Sequence, residues 1–315
     1  MLHELRDIRH TENQDVVVVR WRDAMLNEER AMISMPTGAR LYASSGPEKG
    51  QLHMCVAYLI WDADLHPSWP FTGLDRNHGR AAGTRIMIDC GADWLGKLRG
   101  IAPSAILLTH AHPDHAAGLA KGAHCCVYAM PETLNLLRRH PVADLRKVGQ
   151  RGAMTIGRLK FQAIPVQHSI RAPEVGYRVS ARSACFFYAP DIAALPHATA
   201  ALRGVHLYIG DGATLKRSMV RKKNGRLIGH ATIIEQLRWC KAAGVPNAIF
   251  THCGSEIVGG QTRQLNDTVE RLGREHGIEA GIAADKDKLI FRAGRFVQTR
   301  HRRPQKRASA TPSVC

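Results

Sequence analysis

Short runs of β-branched, aromatic and aliphatic residues recur at 16–21, 53–61, 84–89, 105–109, 125–129, 159–166, 176–180, 185–189, 205–209, 248–251 and 289–292. Their lengths and residue types predict strands. Between them, apolar positions recur at helical spacing over 94–98, 116–120, 132–139, 232–243 and 262–276. Strands and helices are interspersed along the whole chain, which predicts a layered α/β architecture. No internal repeat is visible, and low complexity begins only after Val297. The pattern therefore predicts a single domain over 1–297 and a basic, flexible C-terminal tail over 298–315. The stretch 62–83, with Pro67, Pro70, Gly73, Gly79 and Gly83, reads as a long loop.

A length of 315 residues, 44% of them hydrophobic, is enough to build a sizeable core and excludes a wholly disordered chain. The longest apolar stretch, 54–61, is far short of the roughly 20 residues a membrane-spanning helix needs, and the first ten residues are polar. A soluble, cytoplasmic protein with no membrane partner is expected. The eight cysteines form no CxxC pair and no regular framework, as reduced thiols would. For oligomeric state the default expectation is a homodimer.

Charge changes the picture more. Lys and Arg total 44 against 27 acids, a formal +17, and it is unevenly placed. Seven basic residues lie in 292–307 (Arg292, Arg295, Arg300, Arg302, Arg303, Lys306, Arg307) and six in 216–226, with no acid in either. Such runs attract polyanions by counterion release, nucleic acid above all. For 292–307 a solvated tail is an equal alternative.

The strongest chemical signal is Thr109-His110-Ala111-His112-Pro113-Asp114-His115, directly after the apolar run at 105–108. Three imidazoles and a carboxylate in six residues at a strand end suit a divalent metal, and an apolar core would not tolerate them unpaired. With these residues the chain resembles the metallo-β-lactamase-fold hydrolases, whose signature is HxHxDH followed by further ligands at later strand ends. His168 matches the third motif, Asp191 the fourth and His252 the fifth. Ile86-Met87-Ile88-Asp89-Cys90-Gly91 resembles the first. The resemblance spans about 50–292 and implies a four-layer αββα sandwich. It implies two divalent ions, zinc in the first instance with manganese or iron sharing the same donor types. One would sit on His110, His112 and His168, the other on Asp114, His115 and His252, with Asp191 shared. Asp89 would hold the histidine loop without binding metal. Such a pair of ions can share a hydroxide and clamp the attacking and leaving oxygens of a displacement. Cys253, beside His252, faces the opposite side of its strand and reads as packing.

A second pair of motifs narrows the substrate. The strand 205–209 delivers Asp211, and Gly229-His230-Ala231-Thr232 opens an amphipathic helix in which Thr232 and Glu235 have capping-box spacing. This resembles the phosphodiesterase branch of the superfamily, which includes ribonuclease Z and the phosphoribosyl cyclic phosphodiesterases. The branch implies that Asp211 orients His230, which stabilises phosphoryl charge or protonates the leaving oxygen. With Asp114 these are the expected catalytic residues. The expected substrate is a phosphodiester, nucleic acid held through 216–226 and 292–307 or a cyclic or nucleotide ester. Two alternatives stand beside it: a lactone, thioester or lactam hydrolase of the same fold, and a nucleic-acid-binding protein with a vestigial metal site. Two features depart from the branch. No separate Gly- and Pro-rich arm of the ribonuclease Z type is present, and Pro190 precedes Asp191 where glycine or serine is commoner.

Overall fold

The computed structural model describes residues 85–283 apart from 158, 182–183 and 259–261, together with the backbone of four outlying strands. The loop 62–83, the segment 1–50 outside its one strand, and the tail from 300 onward lie outside the described residues.

In chain order the first six strands are β1 (Val17–Trp21), β2 (Ala57–Trp61), β3 (Arg85–Ile88), β4 (Ala105–Leu107), β5 (Cys126–Ala129) and β6 (Leu145–Lys147). Next come β7 (Ala153–Ile156), β8 (Leu159–Val166), β9 (Glu174–Ala181), β10 (Ala184–Tyr188) and β11 (Leu207–Asp211). A small hairpin, β12 (Arg221–Lys223) and β13 (Arg226–Ile228), precedes β14 (Asn247–Thr251), β15 (Glu279–Ile282), β16 (Lys288–Arg292) and β17 (Arg295–Thr299). One sheet has the order β17-β16-β1-β2-β3-β4-β5-β6 and the other β15-β14-β11-β10-β9-β8-β7. The expected tail start at 298 falls inside β17, whose pairing with β16 extends to Thr299.

The two sheets face each other. Ile86, Ile88 and Leu107 of the first pack with Phe161, Tyr177, Phe186, Tyr188, Leu207 and Ile209 of the second. Alternate residues point outward to helices: Met87, Ile106 and Leu108 on one side, Phe187, Tyr208 and Phe250 on the other. Since both faces of each central strand are buried, the strands read as unbroken apolar runs. The outer layers are α1 (Leu98–Ile101), α2 (Pro113–Ala116) and α3 (Pro131–Leu136) on the first sheet, and α4 (Ala198–Leu202), α5 (Ile233–Ala243), α6 (Ser255–Val258) and α7 (Thr262–His276) on the second. This is the expected αββα sandwich.

Within it, β3-β4-β5-β6 are parallel, as are β10-β11-β14-β15. Parallel neighbours need crossovers, which put the connecting loops of both sheets at the C-terminal strand ends, where ligands bind in open α/β sheets. Some expectations shift. The helix at 94–98 splits into a 3-10 turn at Ala92–Trp94 and α1, because Gly96 takes φ +75. The helix at 116–120 begins earlier, with Pro113 at its first turn, and continues as a 3-10 turn over Ala117–Lys121. The strand expected at 205–209 lies two residues later, carrying Asp211 into β11.

Candidate metal centre

Every chemically active side chain singled out from the sequence sits at a C-terminal strand end or just beyond it. Asp89 follows β3, the HxHxDH loop follows β4, His168 follows β8, Asp191 follows β10, Asp211 ends β11 and His252 follows β14. At Asp89 and His252 the backbone turns into the left-handed region, φ 63 and 53. Non-glycine residues rarely occupy it, and such strain gathers where a side chain must be aimed rather than packed.

The side chains converge into three overlapping groups: His110, His112, His168 and Asp191; Asp114, His115, Asp191 and His252; and Asp191, Asp211, His230 and His252. In each, the ligand atoms lie within 4.8 Å of one another. His110 Nε2 is 2.9 Å from His112 Nδ1. Asp114 Oδ2 is 3.2 Å from His252 Nε2 and 3.6 Å from His115 Nε2. Asp191 is common to all three groups, its carboxylate 2.9 Å from His252, 3.1 Å from His115, 3.5 Å from His110, 3.6 Å from His230 and 3.7 Å from His168.

The second ring nitrogens of His115 and His168 are committed elsewhere. His115 Nδ1 is 2.9 Å from Asp89 Oδ2, and His168 Nδ1 donates to the Gly229 carbonyl at 3.0 Å. Asp89 in turn accepts from the Thr109 amide and hydroxyl and from the Tyr188 hydroxyl. Each such bond fixes a tautomer and turns Nε2 toward the cluster. Cys253, like His252 just past the end of β14, is buried in the apolar layer beneath and packs there as expected.

The donor set fits divalent cations. His115 Nε2 and Asp191 Oδ1 are buried and make no hydrogen bond, although polar atoms lie 3.1 and 2.9 Å away in directions unsuited to one. Buried polar atoms are almost always paired, so such orphans ask for another partner. Burial opposes charge on His115 and His252, yet Asp89 for the first and Asp191 for the second overcome it and raise both well above the usual imidazole range. Burial opposes charge on Asp191 and Asp114 as well. The surrounding histidines hold Asp191 well below the usual carboxylate range, and His115 leads in bringing Asp114 down to about 2. His110, His112 and His168 are lowered, chiefly by burial, and offer neutral nitrogen. The outer rim is open at His230, 19% exposed, and Asp114, 16% exposed.

His230 and Asp211 form a second unit at that rim. His230 Nδ1 lies 2.8 Å from Asp211 Oδ2. Asp211 is pinned by the Ile192 amide at 2.9 Å and the Ala213 amide at 2.8 Å. The expected capping box is half present: Thr232 accepts from the Glu235 amide, while the Glu235 carboxylate turns to Arg238 and Trp239. His230 stands just outside the N-terminus of α5, as anticipated.

Two supports went unnoticed in the sequence. Buried Gln236 bonds the Asp211 amide and carbonyl, the Ala231 carbonyl and the Tyr208 hydroxyl, latching β11 to α5. Its one signal is a polar residue on the buried side of an amphipathic helix. Glu174, fully buried at the head of β9, has neither carboxylate oxygen hydrogen-bonded and lies 3.9 Å from His110 Nδ1. Its signal is an acid at the head of a strand whose next three residues, Val175, Gly176 and Tyr177, are all buried.

Comparison with known proteins agrees with this geometry. The beta-lactamase superfamily domain matches residues 84–253, a span that contains every residue from Asp89 to His252. A ribonuclease Z from Mycolicibacterium paratuberculosis is 23% identical over 234 residues, 59% of this chain and 81% of that protein. Among solved structures, the metallo-beta-lactamase fold protein YhfI from Bacillus subtilis superposes with a TM-score of 0.57 at 14% identity, covering 89% of this chain and 100% of that one. Igni18, a metallo hydrolase from the archaeon Ignicoccus hospitalis, gives 0.50 at 11% identity over 88% and 98%. At such identities these two structures bear on the fold alone.

Proposed function

The chain belongs to the beta-lactamase superfamily, and from that premise we propose that it is a metal-dependent phosphodiesterase acting on nucleic acid or on a cyclic or nucleotide phosphodiester. The observation that carries the reading is the His230–Asp211 pair at 2.8 Å on the rim of the cluster, in excess of the residues two cations need. The similarity to a ribonuclease Z supports it.

His110, His112 and His168 would hold one cation and Asp114, His115 and His252 the other, with Asp191 common to both. Zinc suits this nitrogen and carboxylate set, and manganese or iron shares its donor types. Bound there, divalent cations polarise phosphoryl oxygens and make water a nucleophile at neutral pH. Asp89 keeps the His115 ring from turning. Asp211 fixes Nδ1 of His230 as a donor and favours its imidazolium. When the phosphorus–oxygen bond breaks, the Nε2 proton passes to the leaving oxygen, and solvent later returns one to the imidazole. Cys90, Cys125, Cys126, Cys185, Cys240 and Cys253 are free thiols, in keeping with a reducing cytoplasm.

Hydrolysis of bis(p-nitrophenyl) phosphate with zinc or manganese tests the reading against a His112→Ala control. Turnover that exceeds the control is expected. A panel of metals giving no turnover would refute it. An active lactone, thioester or lactam hydrolase in which His230→Ala is silent would establish the alternative chemistry.

A further inference from the structure

Between Asp211 and His230 the chain leaves the body of the domain as the β12–β13 hairpin. Lys216, Arg217, Arg221, Lys222, Lys223 and Arg226 are all exposed, and among the described residues none pairs with an acid. Three cations elsewhere on the surface do pair, in Arg146–Asp144, Arg238–Glu235 and Arg271–Glu275; what sets the hairpin apart is six cations in eleven residues with no acid among them. We infer that this hairpin is an arm that holds a nucleic-acid strand across the mouth of the site, making the substrate a polymer rather than a free small phosphodiester. The inference rests on the phosphodiesterase reading and gives it a substrate class.

Three features argue for it. The arm is an ordered ribbon: Asn224 and Gly225 take φ 50 and 75, the left-handed pair of a two-residue hairpin turn, and Lys222 pairs with Leu227. Lys223 stands directly opposite Arg226. Like charges facing across two strands are destabilising, so a ribbon kept only for stability would place an acid at one of them. A polyanion would turn that repulsion into binding energy.

The root of the arm is joined to the reaction centre. The Gly229 amide donates to the His168 carbonyl at 2.9 Å, its carbonyl accepts from His168 Nδ1, and the Leu227 amide donates to Gln167 Oε1. Gly229 is needed there, with φ +99 and no room for a methyl against the Met219 carbonyl. His230 is the next residue, so a strand lying along the ribbon is registered on the proposed acid. From Gly229 back to Gly225 is four residues, about 13 Å at roughly 3.3 Å per residue. One strand of a duplex rises about 3.4 Å along the axis per phosphate and an extended single strand spaces them more widely, so at least two phosphates fall within that reach. A cyclic phosphodiester with one charge cannot engage the turn and His230 together.

The test uses the full chain with Arg221, Lys222, Lys223 and Arg226 all changed to Gln, leaving Gly229 and His230 intact, and a labelled single-stranded RNA of about 12 nucleotides. Binding is read against salt, and bis(p-nitrophenyl) phosphate turnover is read alongside. At about 0.7 per phosphate contact, the slope of log K against log salt should flatten by about 2 to 3, with the oligonucleotide KM raised at least about tenfold. Small-substrate turnover should be unchanged. Arg221→Lys with Arg226→Lys should keep the wild-type slope. An unchanged slope in the Gln variant would overturn the arm even if the small ester is cleaved. A wild type unable to cleave any phosphodiester would sink the catalytic reading, while the slope still decides the arm.

Discussion

Asp211→Asn isolates the proposed acid from everything around it. The wild-type carboxylate receives three donors: His230 Nδ1 and the Ile192 amide on Oδ2, and the Ala213 amide on Oδ1. An asparagine of the same shape has one oxygen and an NH2 group. Whichever way it is placed, at least one N–H faces another N–H in a fully buried position, which costs about 1–3 kcal/mol of stability. Asp211 also holds the Ile192 amide, next to Asp191, so the metal content of the variant is measured beside its rate.

The catalytic effect is larger than the stability effect. Burial pulls the His230 imidazole down, and Asp211 more than offsets it, leaving the folded value raised. Asp211 therefore favours the imidazolium, and the limb of the rate that depends on this acid should fall as pH rises through the His230 value. With Asn, burial remains without its counterweight, and the fall moves to lower pH. Loss of a positioned general acid costs about 10²–10⁴-fold. A drop in kcat of about 10²–10³ is expected, equal to about 2.7–4 kcal/mol, with KM little changed. The assay is single-turnover cleavage of an oligonucleotide, whose alkoxide leaving group needs a proton, with the folded fraction checked by thermal melting. His230→Ala on top of Asp211→Asn should add little, since the two residues act as one unit. Wild-type kcat in Asp211→Asn, or losses that multiply in the double variant, would refute the acid role.

Metal uptake by the stripped protein should release about two protons near neutral pH, from His115 and His252, whose raised values keep them charged until a cation replaces the proton. Affinity should then rise with pH until both are deprotonated, and calorimetry in buffers of differing ionisation enthalpy would show no proton release if the ligand assignment is wrong. In the metal-free protein Glu174→Gln should be stabilising near neutral pH and silent near pH 4. Burial, then Asp191, holds Glu174 well above the carboxylate range, so the unfolded chain ionises it first and stability falls as pH rises above the unfolded value of about 4.3. A melting temperature for Glu174→Gln equal to wild type at both pH values would contradict that. Thr232→Ala removes the oxygen that accepts the Glu235 amide and should cost about 1 kcal/mol, read by thermal melting.

What could be read from the chain, and what could not, divides by the range of the interaction. The HxHxDH loop is local: six residues after one apolar run, and the structure brings His110, His112, Asp114 and His115 to one place because β4 ends there. His168, Asp191 and His252 are distant from it, yet each follows its own apolar strand, and the C-terminal ends of strands in a twisted sandwich share one edge. Strand-end position thus carried enough information for the ligands. It carried less for their supports. Gln236 and Glu174 act through bonds or burial made by elements far apart in sequence, and neither has a spacing that marks it. The β12–β13 hairpin was missed for a different reason. Its turn, Asn224-Gly225, has the residues a two-residue hairpin demands, but its strands are basic rather than apolar, so a search for buried runs passes over them. A strand that packs against nothing must face water or a partner, and this one carries four exposed cations on the stem that roots at His168. The chemistry of the site therefore follows from the apolar pattern, which sets where strands end, while the choice of substrate follows from the segment that breaks it.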